Sequence, residues 1–289
     1  MDERGLLPAP APTLSWRLFE AGHCVHPELA TRQGASARAC EFPALVALLQ
    51  HPLHGWILFD TGYSEHFLQA TAAFPERMYR VVTPVHLRSG QSLAAQLRRD
   101  GIPPEDINWV VVSHLHGDHV GGLADFGNAK VACSREAWED LHARSRLGAL
   151  RVGMLPALLE RLDRAALHWI EDCPARPLQS PLDELGHGFD LFGDASLLLV
   201  PLPGHAAGHV GALFEDGQGQ VLLVADASWS SQGIRENTPP PALVTAWLGD
   251  TTVYRDTLAR LHALYLQAPQ LRMVPAHCRE WRPSKDSTP

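Results

Sequence analysis

The stretch Val110-Val111-Val112-Ser113-His114-Leu115-His116-Gly117-Asp118-His119-Val120-Gly121-Gly122 constrains this chain more than any other. Its β-branched run reads as a buried strand, because strands covered on both faces lose the polar alternation of half-exposed ones. Four metal-capable side chains, His114, His116, Asp118 and His119, follow at once. The cluster therefore belongs to the loop at that strand's C-terminal end. On extended backbone His114 and His116, two residues apart, point the same way and can grip one ion. Gly117 turns the chain, so Asp118 and His119 face a different point and suit a second ion beside the first. Imidazole with carboxylate is a zinc-type donor set that also accommodates iron or manganese. The alternative is a chance His-rich surface loop, and four such residues directly after an apolar strand argue against it.

The bulk of the sequence narrows the rest. Its 289 residues, 45% hydrophobic, fit one large α/β domain or two small ones. No apolar run approaches the ~20 residues that a membrane span requires, so no membrane partner is expected. A net charge of −8 argues against nucleic acid. The start, Met1-Asp2-Glu3-Arg4, has neither the cationic opening nor the long apolar core of a secretory signal. Cys24, Cys40, Cys133, Cys173 and Cys278 are odd in number and widely spaced, as reduced cytosolic thiols would be. A cytoplasmic location is expected.

Along the chain, residues 1–14 are rich in Pro and Ala and read as a flexible arm, and residues 282–289 as a mobile tail, leaving 15–281 as a single domain. Residues 16–24, 39–49 and 55–59 read as consecutive antiparallel strands, the third delivering Asp60 into the Gly62 turn. A short helix is expected over 92–100, a strand over 130–133, and a helix capped by Ser134. Met154, Leu155, Leu158, Leu159 and Leu162 have the spacing of a second, core-facing helix. Residues 171–188 read as a loop or insertion, and strands are expected over 196–202, 210–214, 221–225 and 271–274, with a helix over 252–267. The irregular segments 63–90 and 227–249 are long for a compact domain and are candidate covers over a substrate. Phe67, Phe74 and Met78 in the first and Trp229 in the second are the candidate pocket residues, with plain core as the alternative for the first three. This order of elements suits a four-layer αββα sandwich, two mixed β-sheets packed face to face with helices outside.

Three more metal-capable residues stand where strands end: His205 in Pro203-Gly204-His205-Ala206-Ala207-Gly208-His209, Asp226 after Val221-Leu222-Leu223-Val224-Ala225, and His277 after the last strand. Rigid strand termini around one rim are what a metal site needs. Together with the set at 114–119 and Asp60-Thr61-Gly62, these residues, in this order, resemble the metallo-β-lactamase fold hydrolases. The resemblance spans about residues 16–280. It implies two divalent ions, zinc first with manganese, cobalt or iron as alternatives. His114, His116 and His205 would hold one, Asp118, His119 and His277 the other, and Asp226 would bridge both. Asp60 would orient a ligand histidine from behind, and His209 would pack behind the ligands.

Within that superfamily the phrasing is most similar to the lactonases that open N-acyl-homoserine lactones, the quorum-quenching enzymes. One position departs: those lactonases carry tyrosine directly after Asp-Ala-Ser, and here Asp226-Ala227-Ser228 is followed by Trp229. An indole N–H donates one hydrogen bond but is no phenolic acid. The expected chemistry is attack of a metal-bridging hydroxide on a carbonyl of a small-molecule substrate, with Asp118 as general base then acid and Asp226 as the shared carboxylate. A phosphotriesterase, an arylesterase and a glyoxalase-II-like thioesterase of the same fold are the alternatives, and a homodimer is an assembly compatible with the sequence.

Overall fold

The computed structural model describes residues 11–283. One sheet holds β1 (Ser15–Pro27), β2 (Ala39–His51), β3 (Gly55–Phe59), β4 (Val85–His86), β5 (Ile107–Val111), β6 (Lys130–Cys133) and β7 (Leu167–Trp169), in the order β4-β1-β2-β3-β5-β6-β7. The other holds β8 (Ala175–Pro177), β9 (His187–Asp190), β10 (Leu197–Pro201), β11 (Val210–Glu215), β12 (Gln220–Ala225) and β13 (Arg272–Pro275), in the order β13-β12-β11-β10-β9-β8. β1, β2 and β3 are antiparallel, whereas β3, β5, β6 and β7 run parallel. In the second sheet only the β12–β13 pair is parallel, so both sheets are mixed.

Alternating side chains explain the layering. Ala47, Leu49, Ile57, Phe59 and Val111 of the first sheet meet Leu199, Ala212, Leu223 and Val274 of the second in the middle of the molecule. Their neighbours Leu48, Leu58 and Val110 point the other way, onto Leu93 and Leu97 of the helix Leu93–Arg99 and Ala137 and Leu141 of the helix Arg135–Ala143. Val200, Leu222 and Val224 likewise face Tyr254, Leu258 and Leu261 of the helix Thr251–Gln267. Both faces of each sheet are covered, which is why the central strands read as unbroken apolar runs. The result is the expected αββα sandwich. Each buried leucine contributes about 1.5–3 kcal/mol, so the strand ends that carry the site stand on a rigid base. Ser134 caps its helix as the sequence suggests, its Oγ accepting from Ala137 N–H at 3.4 Å, and Asp250 caps the last helix, its Oδ1 accepting from Thr252 and Val253 N–H at 2.8 and 3.0 Å.

Some local expectations fail. The apolar residues from Met154 to Leu162 do not form a helix. The preceding helix ends at Arg151, Gly153 sits at φ +83°, and Met154 instead bridges to His116 as a strand would. Only the single 3-10 turn Pro156–Leu158 follows, with Pro156 at its start, where a missing N–H is tolerated. Met154, Leu155, Leu158 and Leu159 are buried all the same. The segment 171–188 supplies β8 and the start of β9, strands too short to show a period. The covers are partly helical, with Glu65–Ala70 and Arg77–Val82 in the first and Ser231–Glu236 and Ala242–Leu248 in the second.

Of the arm expected over 1–14 and the tail expected over 282–289, residues 1–10 and 284–289 lie outside the described residues. Leu14, counted in the arm, is buried and donates its N–H to Glu215 O at 2.8 Å. Arg282, counted in the tail, pairs with Glu41 at 2.8 Å and Glu20 at 3.0 Å. Both belong with the folded body. Among the described residues no helix is long and apolar enough to cross a membrane.

Candidate metal centre

Because β3 and β5 are parallel neighbours, their C-terminal ends lie side by side. Asp60 leaves β3 at φ +65°, a left-handed conformation that Asp and Asn tolerate better than most residues. Its Oδ1 accepts the Ser113 N–H at 2.8 Å, and its Oδ2 accepts the Ser113 hydroxyl at 2.7 Å and faces His119 Nδ1 at 2.7 Å. A carboxylate only accepts, so His119 carries a proton on Nδ1 and turns Nε2, the atom a metal would take, toward the rim. Thr61 clamps the same loop: its N–H and hydroxyl both donate to His119 O, at 2.8 and 2.9 Å, and its hydroxyl accepts from Gly122 N–H at 3.1 Å. His277 is fixed in the same sense, donating from Nδ1 to Pro43 O at 2.8 Å.

From the second sheet come His205 after β10, Asp226 after β12 and His277 after β13. Cross-sheet backbone bonds, Val210 N–H to Ser113 O at 3.0 Å and Leu45 N–H to Ala276 O at 2.9 Å, bring the two sets of strand ends together. Three groups result, each with donor atoms within 4.8 Å of one another: His114, His116 and His205; His114, His119 and Asp226; and Asp118, His119 and His277. Asp226 spans them. Its Oδ2 is 3.3 Å from His205 Nε2, and its Oδ1 is 3.2 Å from His277 Nε2 and 3.4 Å from His119 Nε2. Asp118 Oδ2 completes the far side, 3.4 Å from His277 Nε2. Burial drives the His114 and His205 imidazoles well below the ordinary histidine range, leaving them neutral. Burial alone would raise Asp226, but His277 and His119, whose imidazoles Asp226 in turn holds above the ordinary histidine range, outweigh it and keep the carboxyl well below its usual range.

The known family whose pattern fits the sequence is the metallo-beta-lactamase superfamily, matched over residues 41–277. The chain belongs to the metallo-β-lactamase superfamily. It is a hydrolase of that superfamily, and its known relatives agree. It is 29% identical over 211 residues to the N-acyl homoserine lactonase AttM of Azorhizobium caulinodans, covering 71% of this chain and 72% of that one. It is also 29% identical over 253 residues to the probable metallo-hydrolase Rv2300c of Mycobacterium tuberculosis, covering 80% and 75%. Among solved structures, an N-acyl homoserine lactone hydrolase with the product N-hexanoyl-L-homoserine at its catalytic metal centre superposes with a TM-score of 0.69. That pair shares 20% identity, covering 94% of this chain and 95% of the other, and shows the common fold.

The metallo-β-lactamase fold implies divalent metal, and the donors here fit one. His114 Nε2, His119 Nε2 and Asp226 Oδ1 are buried and make no hydrogen bond within the protein. Three converging polar atoms without partners are costly in an ordinary core and are satisfied by a cation. His209 is arranged differently. Its Nε2 accepts the Asp226 N–H at 3.1 Å and burial lowers its pKa to about 4, so it steadies the Asp226 backbone from behind.

The expected pocket residues scatter. Phe67 is fully buried between Tyr63 and Tyr79, and its ring lies beneath Gly117, where a Cβ would come within 3.0 Å of it. It is a floor under the loop and not a pocket wall. Phe74 and Met78 are exposed at 78% and 43%, and neither lines the cleft at Met154 and Ala206. Trp229 alone reaches the centre, donating from Nε1 to Asp226 Oδ2 at 2.8 Å. The cleft, of about 250 Å³, is lined by Met154, which bridges to His116, and by Ala206, the residue after His205, with Trp247, Arg144 and Arg151 on its walls; no candidate ligand lines it. The sequence reading missed Ser113 and Pro43. The serine's place in Ser-His-x-His and a proline inside a strand, which marks an irregular ladder, were the signals available.

A further group, His51, His54 and Asp194, has metal-type donors within 4.8 Å at another part of the rim of the sheets. His51 Nδ1 accepts the N–H groups of Leu53 and His54 at 3.0 and 3.1 Å, so the proton sits on Nε2, which faces Ser196 Oγ at 2.9 Å and Asp194 Oδ2 at 3.2 Å. Binding a cation at Nε2 would leave the ring an imidazolate. This histidine locks a hairpin turn and is no ligand.

Proposed function

We propose that the protein is a dinuclear metal-dependent hydrolase of carbonyl esters, with lactone ring opening as its reaction. The observation that carries this is the convergence of three unpartnered buried donors on a rim where Asp226 touches both halves of the cluster. His114, His116 and His205 would hold one ion and Asp118, His119 and His277 the other, with Asp226 shared. Zinc suits this nitrogen and oxygen set best, with manganese, cobalt and iron as alternatives. Two such ions supply Lewis acidity for a carbonyl and for water at neutral pH.

The chain's own residues supply the rest. Asp118 takes the proton of the attacking water and returns it to the leaving oxygen. Asp60, through His119, and Pro43, through His277, keep two imidazoles aimed at the rim. The cleft beside Met154 and Ala206 receives the part of the substrate that does not react. The names of the relatives favour N-acyl-homoserine lactones as substrates, which would make the protein a quorum-quenching enzyme. The test is zinc-reconstituted protein, with chelated protein as control, against lactones, aryl esters, thioesters and phosphotriesters. Two metal equivalents and preferential, chelator-sensitive lactone opening are expected. Fewer than two equivalents, or preference for another class, would overturn the reading.

A further inference from the structure

Trp229 stands where the resemblance leads one to expect a phenol, and its bonding differs from what a substrate-facing residue would show. Its single N–H is spent on Asp226 Oδ2 at 2.8 Å, and its ring packs edge-on against His205, with centroids 5.8 Å apart. An indole has one donor and no acceptor, so nothing remains for a substrate oxygen. The bond also splits the carboxylate's duties. Oδ2 is anchored beside His205, which leaves Oδ1, unpartnered and buried, between His119 and His277. Asp226 gains from such an anchor, because it follows Ala225 at φ +45° and the bond from its own N–H, to His209, fixes the backbone and not the rotation of the carboxylate. Without the indole its carboxylate has no neutral donor fixing its rotation.

We propose that Trp229 is a positioning residue: it sets the carboxylate plane of Asp226 so that each oxygen serves a different half of the metal cluster. This rests on the reading of Asp226 as a shared ligand. The consequence is that residue 229, which borders the substrate space in the resemblance, here acts on metal affinity. Loss of outer hydrogen bonds to metal ligands commonly costs about 10–100-fold in affinity.

The test uses the full chain and the metal alone. Zinc binding is measured by competition with a chromophoric chelator, and the cobalt-substituted protein by its visible absorption, for wild type, Trp229→Phe and Trp229→Met. Both variants keep an apolar side chain and lack the donor. Expected are two zinc equivalents in the wild type and at least a tenfold weaker equivalent in both variants. The cobalt bands should shift and the melting temperature of metal-free protein should stay unchanged. Wild-type affinity and wild-type cobalt bands in either variant overturn the inference. A fall in metal-free stability that tracks the affinity loss also overturns it, by making the residue a packing element. Fewer than two equivalents in the wild type itself would instead sink the dinuclear reading.

Discussion

Replacing Asp60 with asparagine probes the centre from outside it. The backbone at 60 is left-handed, and asparagine keeps that conformation nearly as well as aspartate, so shape and volume are preserved. What changes is the hydrogen-bond inventory. The native carboxylate accepts the Ser113 N–H, the Ser113 hydroxyl and the His119 Nδ1–H at 2.7–2.8 Å. An amide has one accepting end. If its oxygen stays on His119, its NH₂ confronts the Ser113 N–H, donor against donor. If its oxygen stays on Ser113, its NH₂ donates to His119 Nδ1, which moves the imidazole proton to Nε2, the atom turned toward the rim. The first leaves buried donors unpaired at about 1–3 kcal/mol, and the second removes a donor from the cluster. Either way metal affinity should fall about 10–100-fold, that is by about 1.4–2.8 kcal/mol at about 1.4 per decade. Competition titration of zinc into metal-free Asp60→Asn and wild type measures it, with circular dichroism to confirm the fold. Wild-type affinity in Asp60→Asn would falsify the idea that Asp60 sets the tautomer of His119.

Asp118→Asn, assayed at saturating zinc, should lower turnover by about 10²–10⁴-fold, the usual share of a general acid–base; a rate within tenfold of wild type would remove Asp118 from the proton path. Gly204→Ala should cost both stability and metal, because Gly204 sits at φ +118° and a Cβ there would lie 2.3 Å from Tyr254 N, pushing the His205 loop off its helix. Gly34→Ala, at φ +76° with nothing within 4 Å, is the control and should cost only about 1–2 kcal/mol of backbone strain; equal melting shifts in the two would contradict the steric account. His51→Gln should flatten the acid side of the stability profile. Burial lowers the folded-state pKa of His51 below its usual value of 6.5, so its contribution is full above that value and is lost as pH falls through the lowered one. Urea midpoints at pH 5 and 8 check this, and parallel profiles for variant and wild type would refute it.

The seven candidate ligands were legible because each follows a strand written as an unbroken apolar run, and the layers were legible for the same reason. What escaped were partnerships between residues far apart in the chain. Nothing near Pro43 announces that its carbonyl holds His277, and nothing near Trp229 announces that its N–H serves Asp226 and not a substrate. Phe67 looked like a pocket residue because composition cannot tell a floor from a wall; the close approach of Gly117 decides it. The stripe from Met154 to Leu159 is buried as its spacing implies, but Gly153 at positive φ and the bridge from Met154 to His116 hold its start in an extended path. Strands as short as β8, with three residues, carry no readable period.

His114, His116, Asp118 and His119 hang from one sheet, and His205, Asp226 and His277 from the other. An ion pair seated among them would rivet the sandwich shut at that rim, where side chains otherwise offer the sheets mostly unsatisfied polar atoms. Its binding energy would then count toward folding, about 2.7 kcal/mol when free metal stands at a hundred times its dissociation constant. Scarcity of metal would shorten the lifetime of the protein in a protease-rich setting as well as silence it.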